Sequence, residues 1–496
     1  MKKLSINELL KGYNSATYTD DLDLNTIVEP MLISNDIKED SLLFIYDPVG
    51  VPNSTFDASG LSITPYAIVT SNDKEVVSEN CPIIKVDNTR AALAYAMSNY
   101  NEIDYDKIKF IGITGTNGKT TTATLIYEIL TRCGYRTGLI STGKIISNGK
   151  LLSGDTYSMT TPDPTLLYPT IKSMTDDACE YIVMEVSSHS IALGKIAPIK
   201  FEYAIFTNLD DDHLDFHGTK DEYFSTKLKL FSQAKNGIFN LDNEYSAKAS
   251  ELSTCRKATY GIINQGDTFA TDIDLKSLNE TSFYYRGKNL IFKAQTHLGG
   301  AFNVYNSLAA LACVIDLGIK PCIAKRALSE ISGVSGRMEI INGKIRAIID
   351  YAHTPEAFYN SLKTIKSSIN QKQKLTVVFG CGGNRDRGKR KIFGEYAEML
   401  ADRIIITEDN SRSESFFDIA SDILIGIKEK EPKIIHDREK AIKYAIKSAN
   451  EGDVIAMIGK GHERYKIVGN EYLPFDEKKI IQNAMKERGF LYESDT

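Results

Sequence analysis

The feature that most constrains this chain is a repeated pattern in which a short apolar run ends in a polar loop and a helical segment follows. Three such runs are Phe110–Ile113, Tyr181–Met184 and Tyr203–Phe206. Runs of this length that alternate with helices predict a parallel β-sheet covered by helices on both faces. Because ligands of such sheets sit at the carboxyl ends of the strands, we expect the three loops to meet in one crevice.

The pattern starts again after Gly336, which predicts a second doubly wound unit with its own polar edge. Its apolar runs are Ala347–Ile349, Leu375–Phe379, Ile404–Ile406 and Val454–Ile458. Two such units that face each other make a cleft able to close around two substrates.

The region before residue 106 mixes short β-like runs with one helical stretch. These segments are Leu42–Tyr46, Ala67–Thr70, Pro82–Val86 and the helix Thr89–Tyr100. The expected fold is therefore α/β with three domains: a small N-terminal α/β domain (1–105), a central phosphate-loop ATPase-like parallel-sheet domain (106–333) and a C-terminal Rossmann-like domain (334–496). A chain of 496 residues suits that number of domains.

Composition excludes several classes of protein. Lys and Arg total 59 against 65 Asp and Glu, a net charge of −6, so no basic surplus indicates nucleic acid or a membrane surface as partner. No apolar run approaches the roughly 20 residues that span a bilayer, and no leader segment is evident at the start, which favours a cytoplasmic protein. The seven cysteines are scattered and never in C-x-x-C spacing, which argues against disulfides and zinc.

A phosphate loop is predicted after the first run of the central domain. Gly115, Gly118, Lys119 and Thr120 follow a strand directly and open a helix that extends to about Thr131. In this context backbone N–H groups face phosphates, the lysine reaches the outer ones and the threonine hydroxyl is able to ligate Mg²⁺. The strict pattern requires Gly at position 113, where this chain has Ile, so a simple Gly-rich turn with an exposed lysine stays as the alternative.

Two further loops carry groups that bind metals or move protons. Glu185 ends an apolar strand and needs a cation or several donors there, unless it is simply exposed to water. His213 lies in an acidic loop that also contains His217. Five of the seven histidines fall in strand-end loops, a concentration that favours ligation, phosphate contact or proton handling over incidental placement.

Seven motifs, in their order along the chain, resemble those of the Mur ligase family. They are Thr114–Thr120, Met184–His189, Asn208–Asp215, Phe302–Asn306, Gly336–Glu339, Asp350–Pro355 and Gly459–Glu463. The residues of these motifs are most similar to those of the family members that add the third residue of the peptidoglycan stem peptide. The motifs span roughly residues 109 to 470.

The resemblance implies that ATP phosphorylates the terminal carboxylate of UDP-N-acetylmuramoyl-L-alanyl-D-glutamate, and that an amine then attacks the acyl phosphate. It further implies two Mg²⁺ ions and a monomeric enzyme. Metal ions suit this reaction because an anionic carboxylate must approach an anionic γ-phosphate.

By position, the resemblance also implies roles for residues around the nucleotide. Glu185 is expected to ligate both metals, His213 the second and Thr120 the first. Lys227 stands where the family has a lysine carbamylated by CO₂, although the residues alone favour an ordinary surface lysine. The remaining nucleotide contacts are expected at Gly115, Thr116, Asn117, Gly118, Lys119, Thr121, Asn303, Arg337 and Asp350.

The other substrates are assigned in the same way. The UDP-sugar is expected near Ser34, Thr160, Thr161, Ser187 and Lys195, and the incoming amine near Arg385, Asp409, Asn410, Arg412, Gly459 and Glu463. The guanidinium fork of Arg412 suits the distal carboxylate of meso-diaminopimelate, which lysine lacks. The alternative is a surface ion pair between Arg412 and Glu408 or Glu414.

Three other functions are left open by the sequence. One is a ligase of the same family that adds L-lysine, and another is a ligase similar to folylpolyglutamate synthetase. The third is a non-catalytic paralogue that binds ATP and a partner, which the intact Lys119, Glu185, His213 and Lys227 argue against.

Overall fold

The computed structural model describes residues 4–19, 22–32, 37–46, 55–78, 81–154, 159–469 and 471–491. Its three main sheets follow one another along the chain, and helices pack against each of them. This architecture confirms the predicted three-domain α/β fold class. Within the described ranges, no helix is both long and apolar enough to cross a membrane.

The first sheet is mixed and belongs to the N-terminal part of the chain. The elements of this part are β1 (Leu4–Ser5), α1 (Ile6–Leu9), β2 (Ala16–Thr17), β3 (Ile27–Leu32), β4 (Ser41–Ile45), β5 (Phe56–Asp57), β6 (Ala67–Ser71), β7 (Val76–Val77), β8 (Ile83–Val86) and α2 (Thr89–Tyr100). The sheet order is β1-β3-β4-β6-β8-β2, and β5 pairs separately with β7. Helix α2 begins at Thr89 because the Asn88 side chain accepts a hydrogen bond from the Ala91 N–H.

The second sheet forms the centre of the molecule. Its elements are β9 (Lys109–Thr114), α3 (Lys119–Arg132), β10 (Thr137–Ser141), β11 (Lys144–Ser147), β12 (Lys150–Gly154), α4 (Pro164–Asp176), β13 (Tyr181–Glu185), α5 (Ser188–Ala192), β14 (Phe201–Phe206), α6 (Leu214–His217), α7 (Lys220–Leu228), β15 (Ala234–Asn240), α8 (Glu244–Leu252), β16 (Arg256–Gly261), β17 (Thr268–Ser277), β18 (Glu280–Gly287), β19 (Leu290–Thr296), α9 (Ala301–Asp316) and α10 (Pro321–Ser329). The order is β12-β11-β10-β13-β9-β14-β15-β16-β17-β18-β19, parallel from β10 to β17. Strands β13, β9 and β14 are neighbours, so the three polar loops predicted to converge do so.

The third sheet is parallel except at one edge. Its elements are β20 (Glu339–Ile341), β21 (Arg346–Asp350), α11 (Pro355–Ser367), β22 (Leu375–Phe379), α12 (Gly388–Leu400), β23 (Arg403–Ile406), α13 (Phe416–Leu424), β24 (Lys433–Ile434), α14 (Arg438–Lys447), β25 (Val454–Ile458), β26 (Tyr465–Val468), β27 (Glu471–Pro474) and α15 (Glu477–Glu487). The order is β20-β21-β25-β22-β23-β24, and only β20 runs antiparallel. Strands β26 and β27 form a separate hairpin.

One apolar core ties the first two sheets together, and the third sheet has two further cores, one of which also takes in Leu278 and Phe302 from the preceding part of the chain. Phe44 of β4 and Phe110 of β9 belong to one continuous buried cluster. In the third sheet, neighbouring residues of β22 point to opposite faces, so that Val377 packs in one cluster and Val378 in another. Both faces of this strand are therefore covered, as expected for a parallel sheet.

Candidate active site

Two adjoining cavities lie where the strand-end loops of the second and third sheets face each other. The first has a volume of about 240 Å³, and its lining includes Lys119, Thr120, Glu185, His213, Arg385, Asp409, Asn410, Arg412, Gly459 and Glu463. The second has a volume of about 480 Å³, and its lining includes Asn303 and Asp350. Both are bordered by Asn117, Gly118, Thr121 and Arg337, so they form two parts of one cleft.

The loop between β9 and α3 has the geometry of a phosphate loop. Gly115 and Gly118 have φ angles of +144° and +84°, and a Cβ on Gly115 would lie 1.9 Å from Thr207 Oγ1. Both positions therefore require glycine. The Lys119 ammonium donates to the carbonyl oxygens of Gly115 and Thr116 at 2.9 and 2.8 Å, so it lies along the loop that would surround a phosphate.

Thr120 and Glu185 form the polar centre of the first cavity. Glu185 is buried and accepts hydrogen bonds from the Thr120 and Ser141 hydroxyls and from the Thr142 N–H, at 3.0, 2.5 and 2.8 Å. These three donors meet the requirement predicted for a carboxylate at a strand end. Arg337 Nη2 donates to Thr120 Oγ1 at 2.8 Å, which brings the segment after α10 to the phosphate loop.

Asp212 is surrounded by imidazole and ammonium nitrogens from both sides of the cleft. Its carboxylate lies 3.3 Å from His213 Nε2, 3.7 Å from His353 Nε2 and 3.9 Å from Lys389 Nζ. Burial alone would raise the pKa of Asp212, but these three neighbours hold it well below its usual range. Burial lowers the pKa of His213 to about 3, so its ring is neutral, as a metal ligand must be.

Lys227 is almost fully buried, which contradicts the alternative of a surface lysine. Its Nζ donates to the Gly115 carbonyl at 3.0 Å and lies 4.5 Å from the centre of the Tyr223 ring. Burial and the nearby Lys119 hold the pKa of Lys227 well below its usual range. Both lysines donate to the Gly115 carbonyl, an arrangement that disfavours two positive charges.

The residues present fit one Mg²⁺ better than two. Within the described ranges, no group of three or more His, Cys, Asp or Glu side chains surrounds a single metal position. Thr120 and Glu185 nonetheless place a hydroxyl and a carboxylate oxygen side by side in the cavity, and Mg²⁺ binds through few protein oxygens together with phosphates and waters. His213 and Lys227 instead contact Asp212 and Gly115, so a second ion lacks an assembled ligand set.

The second cavity has polar groups at its base. The Asn303 amide donates to the Gly299 carbonyl at 2.8 Å and accepts from Asn306 at 3.0 Å, which fixes its orientation. Asp350 accepts a hydrogen bond from the Ser361 hydroxyl, and burial raises the pKa of this carboxyl. Asn117 donates to Asp210 at 2.9 Å and to Thr354 at 3.2 Å, linking the phosphate loop to the start of α11.

Arg412 points into the first cavity without a carboxylate partner in the described part of the chain. The two partners considered for it are engaged elsewhere: Glu408 pairs with Lys466 at 2.7 Å and Glu414 with Arg390 at 2.6 Å. The surface ion pair is therefore wrong. Arg412 Nη1 donates to the carbonyls of Gly383 and Asn410, at 2.9 and 3.3 Å, and the residue lines the cavity.

The residues expected near the UDP-sugar are only partly brought to the cleft. Thr160 lines the first cavity. Thr161 donates to the Glu185 carbonyl at 3.0 Å, and Lys195 pairs with Asp163 at 2.8 Å. Neither cavity is lined by Thr161, Ser187 or Lys195. Ser34 falls outside the described residues.

Several residues of the site were not assigned a role from the sequence. They are Ser141, Thr142, Asp212, His353, Lys389 and Lys460. Asp212, His353 and Lys460 stand inside recognised motifs, and His353 is also one of the five histidines in strand-end loops; these were the signals that could have identified them.

Comparisons with known proteins agree with this geometry. Residues 113–314 match the Mur ligase middle domain and residues 336–461 the Mur ligase, glutamate ligase domain. A UDP-N-acetylmuramoyl-L-alanyl-D-glutamate–2,6-diaminopimelate ligase from Clostridium tetani is 36% identical, over 98% of this chain and 100% of its own. One from Aquifex aeolicus is 38% identical, over 94% of this chain and 95% of its own.

Among solved structures, one described by the same ligase name has a TM-score of 0.64 at 26% identity and covers 98% of this chain and 100% of its own. A folylpolyglutamate synthase from Mycobacterium tuberculosis has a TM-score of 0.62 at 16% identity, over 75% of this chain and 92% of its own, a likeness of fold alone. On the family matches and the relatives that align over nearly the whole chain, this protein belongs to the Mur ligase family.

Proposed function

We propose that this chain is an ATP-dependent ligase that joins meso-diaminopimelate to UDP-N-acetylmuramoyl-L-alanyl-D-glutamate, in peptidoglycan precursor synthesis. One observation carries the proposal: a single cavity has a phosphate loop on one side and Arg412, Arg385 and Glu463 on the other. A phosphorylated carboxylate and a diamino dicarboxylic acid would meet between them. The activity for which the relatives are named supports this choice of substrates.

In the first step, a carboxylate oxygen of the dipeptide attacks the γ-phosphorus of ATP, and ADP leaves. The N–H groups of the phosphate loop, the N-terminus of α3 and Lys119 would hold the phosphates and stabilise the charge that develops on the transferred group. In the second step, a neutral amine attacks the carbonyl carbon of the acyl phosphate, the carbon–oxygen bond to phosphate breaks, and the nitrogen loses one proton as the amide forms. Asn303 and Asp350 would hold the nucleoside in the larger cavity, with Arg337 beside it.

Mg²⁺ would be held by Thr120 and Glu185, and when bound it reduces the repulsion between two anionic reactants. We extend the proposal to carbamylation of Lys227, because the anion formed there would supply the ligand that a second ion near His213 otherwise lacks. A buried lysine with a lowered pKa is a neutral amine, which adds to CO₂ and releases one proton to give an N-linked carboxylate. That conversion would also remove the repulsion between Lys227 and Lys119.

The far end of the cavity suits the distal half of meso-diaminopimelate. Arg412 would pair with the distal carboxylate through a charge-assisted fork, and Glu463 would accept from the distal ammonium. Arg385 lies 3.8 Å from Asp215 and has further hydrogen-bond donors for the second carboxylate of meso-diaminopimelate. L-lysine would leave Arg412 without a partner, which costs binding in a desolvated site.

The UDP-sugar would bind toward Thr160, with Thr161, Ser187, Lys195 and Ser34 as further candidates. Domain limits near residues 105 and 333, a monomeric state and a cytoplasmic location remain predictions. Size-exclusion chromatography with light scattering tests the oligomeric state.

A panel of amines tests the proposed function directly. Purified protein is supplied with ATP, Mg²⁺, UDP-N-acetylmuramoyl-L-alanyl-D-glutamate and one amino acid at a time, and phosphate release and product mass are measured. We expect meso-diaminopimelate to be the preferred amine, with L-lysine poor, and we expect Lys119→Ala to fold yet lose ligation. Equal use of lysine, or near-normal turnover by folded Lys119→Ala, would contradict the proposal.

A further inference from the structure

Lys460 is the buried cation behind the far end of the first cavity. It follows β25 and has no exposed surface, and it does not line the cavity. Its ammonium lies 2.5 Å from Asn410 Oδ1 and 2.9 Å from the Tyr465 carbonyl. It is also 3.3 Å from Asp409 Oδ1 and 3.3 Å from Glu463 Oε2. One cation therefore forms ion pairs with two carboxylates that do line the cavity.

This cation also fixes the orientation of the Asn410 amide. Asn410 Oδ1 accepts from Lys460 Nζ and from the Ile467 N–H at 3.0 Å, so the amide nitrogen must point the other way. That nitrogen donates to Glu463 Oε2 at 2.9 Å. Lys460 thus acts on Glu463 twice, directly and through Asn410.

The result is a carboxylate with one oxygen held and one oxygen available. Glu463 Oε2 accepts both bonds, while Oε1 has no partner among the described residues and the side chain borders the cavity. Asp409 is influenced by the same cation: burial would raise its pKa, but Lys460 and then Arg438 hold that pKa below its usual value. The orientation of Glu463 and the lowered pKa of Asp409 both depend on Lys460.

We propose that Lys460 is a positioning residue that sets the enzyme's selectivity for an amino acid with a distal ammonium group, by holding Glu463 so that its Oε1 meets that group. Since Lys460 is buried, its effect on the distal ammonium would pass through Glu463, which it holds both directly and through Asn410. The inference rests on the proposed function, because it takes meso-diaminopimelate as the substrate.

The test compares two amines that differ only at the distal ammonium. 2-Aminopimelate keeps one amine and both carboxylates but lacks the second amine, so the ratio of kcat/KM for diaminopimelate to that for 2-aminopimelate reports on the ammonium contact. We expect Lys460→Met to lower this ratio about 10- to 100-fold, the range for losing a hydrogen bond to a charged group. KM for ATP should change little.

Lys466→Met is the matched control. Lys466 lies in β26 near the same segment, pairs with Glu408 at 2.7 Å and does not border the cavity. Removing it deletes a lysine ion pair of similar chemistry, so the amine ratio should stay at the wild-type value. An equal loss for both amines in Lys460→Met, which leaves the ratio unchanged, would mean that Lys460 is merely structural and would overturn the proposal.

A double variant keeps the proposal testable if Lys460→Met does not fold. Lys460→Met combined with Glu463→Gln removes one cation and one anion together, and its ratio should equal that of Glu463→Gln alone, because Lys460 acts through Glu463. A further drop in the ratio would overturn the proposal. Failure of the proposed function is recognised separately, since the wild-type protein would then not prefer diaminopimelate in the amine panel.

Discussion

Replacing Arg412 by alanine should remove the preference for diaminopimelate. Two carbonyl oxygens occupy Nη1 of this guanidinium, so Nε and Nη2 are left for a ligand carboxylate. Hydrogen bonds between charged groups contribute about 1.5–3 kcal/mol each. Two of them at the lower value give about 3 kcal/mol, which corresponds to a loss of about 150-fold in kcat/KM for diaminopimelate.

The assay measures kcat/KM for diaminopimelate and for L-lysine, in the wild type and in Arg412→Ala. Activity with lysine should change little, because lysine has no distal carboxylate to lose. Arg387→Ala is the matched control: its guanidinium is largely exposed and pairs with Asp422 at 3.0 and 3.1 Å, outside the cavity. If Arg412→Ala keeps the wild-type preference, or if kcat/KM falls equally for both substrates, Arg412 does not recognise the distal carboxylate.

Two further predictions follow from buried charges. Lys227→Ala should be nearly inactive and partly restored by a small added carboxylate, whereas Lys229→Ala should remain active; full activity of Lys227→Ala would rule out the carbamate. Arg390 donates to Glu414 and lowers the pKa of that carboxyl to about 2, from an ordinary value of 4.5. Glu414→Gln should therefore lower the free energy of unfolding near pH 7, and the difference should disappear as the pH falls from 4.5 to about 2. Urea unfolding at several pH values measures this, and a constant difference would contradict the pairing.

The apolar runs in the sequence located the strands that carry the site, although not their ends. The first run was predicted at Phe110–Ile113, whereas β9 spans Lys109–Thr114. Lys109 and Thr114 pair with Tyr181 and Phe206 through the backbone, which requires no apolar side chain. Hydrophobic patterns therefore underestimate strand length at polar termini. The C-terminal runs Leu375–Phe379 and Val454–Ile458 were predicted with their observed limits.

The polar network of the site was less accessible to sequence reasoning. The phosphate loop was predicted because its function depends on local backbone geometry, which neighbouring residues determine. The contact between Asp212 and His353 joins residues 141 positions apart, in loops that follow strands of two different sheets, and nothing local indicates it. The sequence identified Lys460 only as a member of the Gly459–Glu463 motif. Its role could not be predicted because it depends on the four groups that surround its ammonium.

The uneven distribution of apolar contacts between the three sheets has a consequence for turnover. The first two sheets share one buried cluster, so separating them would expose apolar surface to water. Between the second and third sheets, Leu278 and Phe302 pack in an apolar core of the third sheet. The loops that line the cleft meet through polar contacts, such as Asn117 with Thr354 and Asp212 with His353. Water replaces such contacts at small net cost. Product release should therefore proceed by a swing of the C-terminal unit away from a rigid pair of sheets, with the hinge in the segment before Arg337.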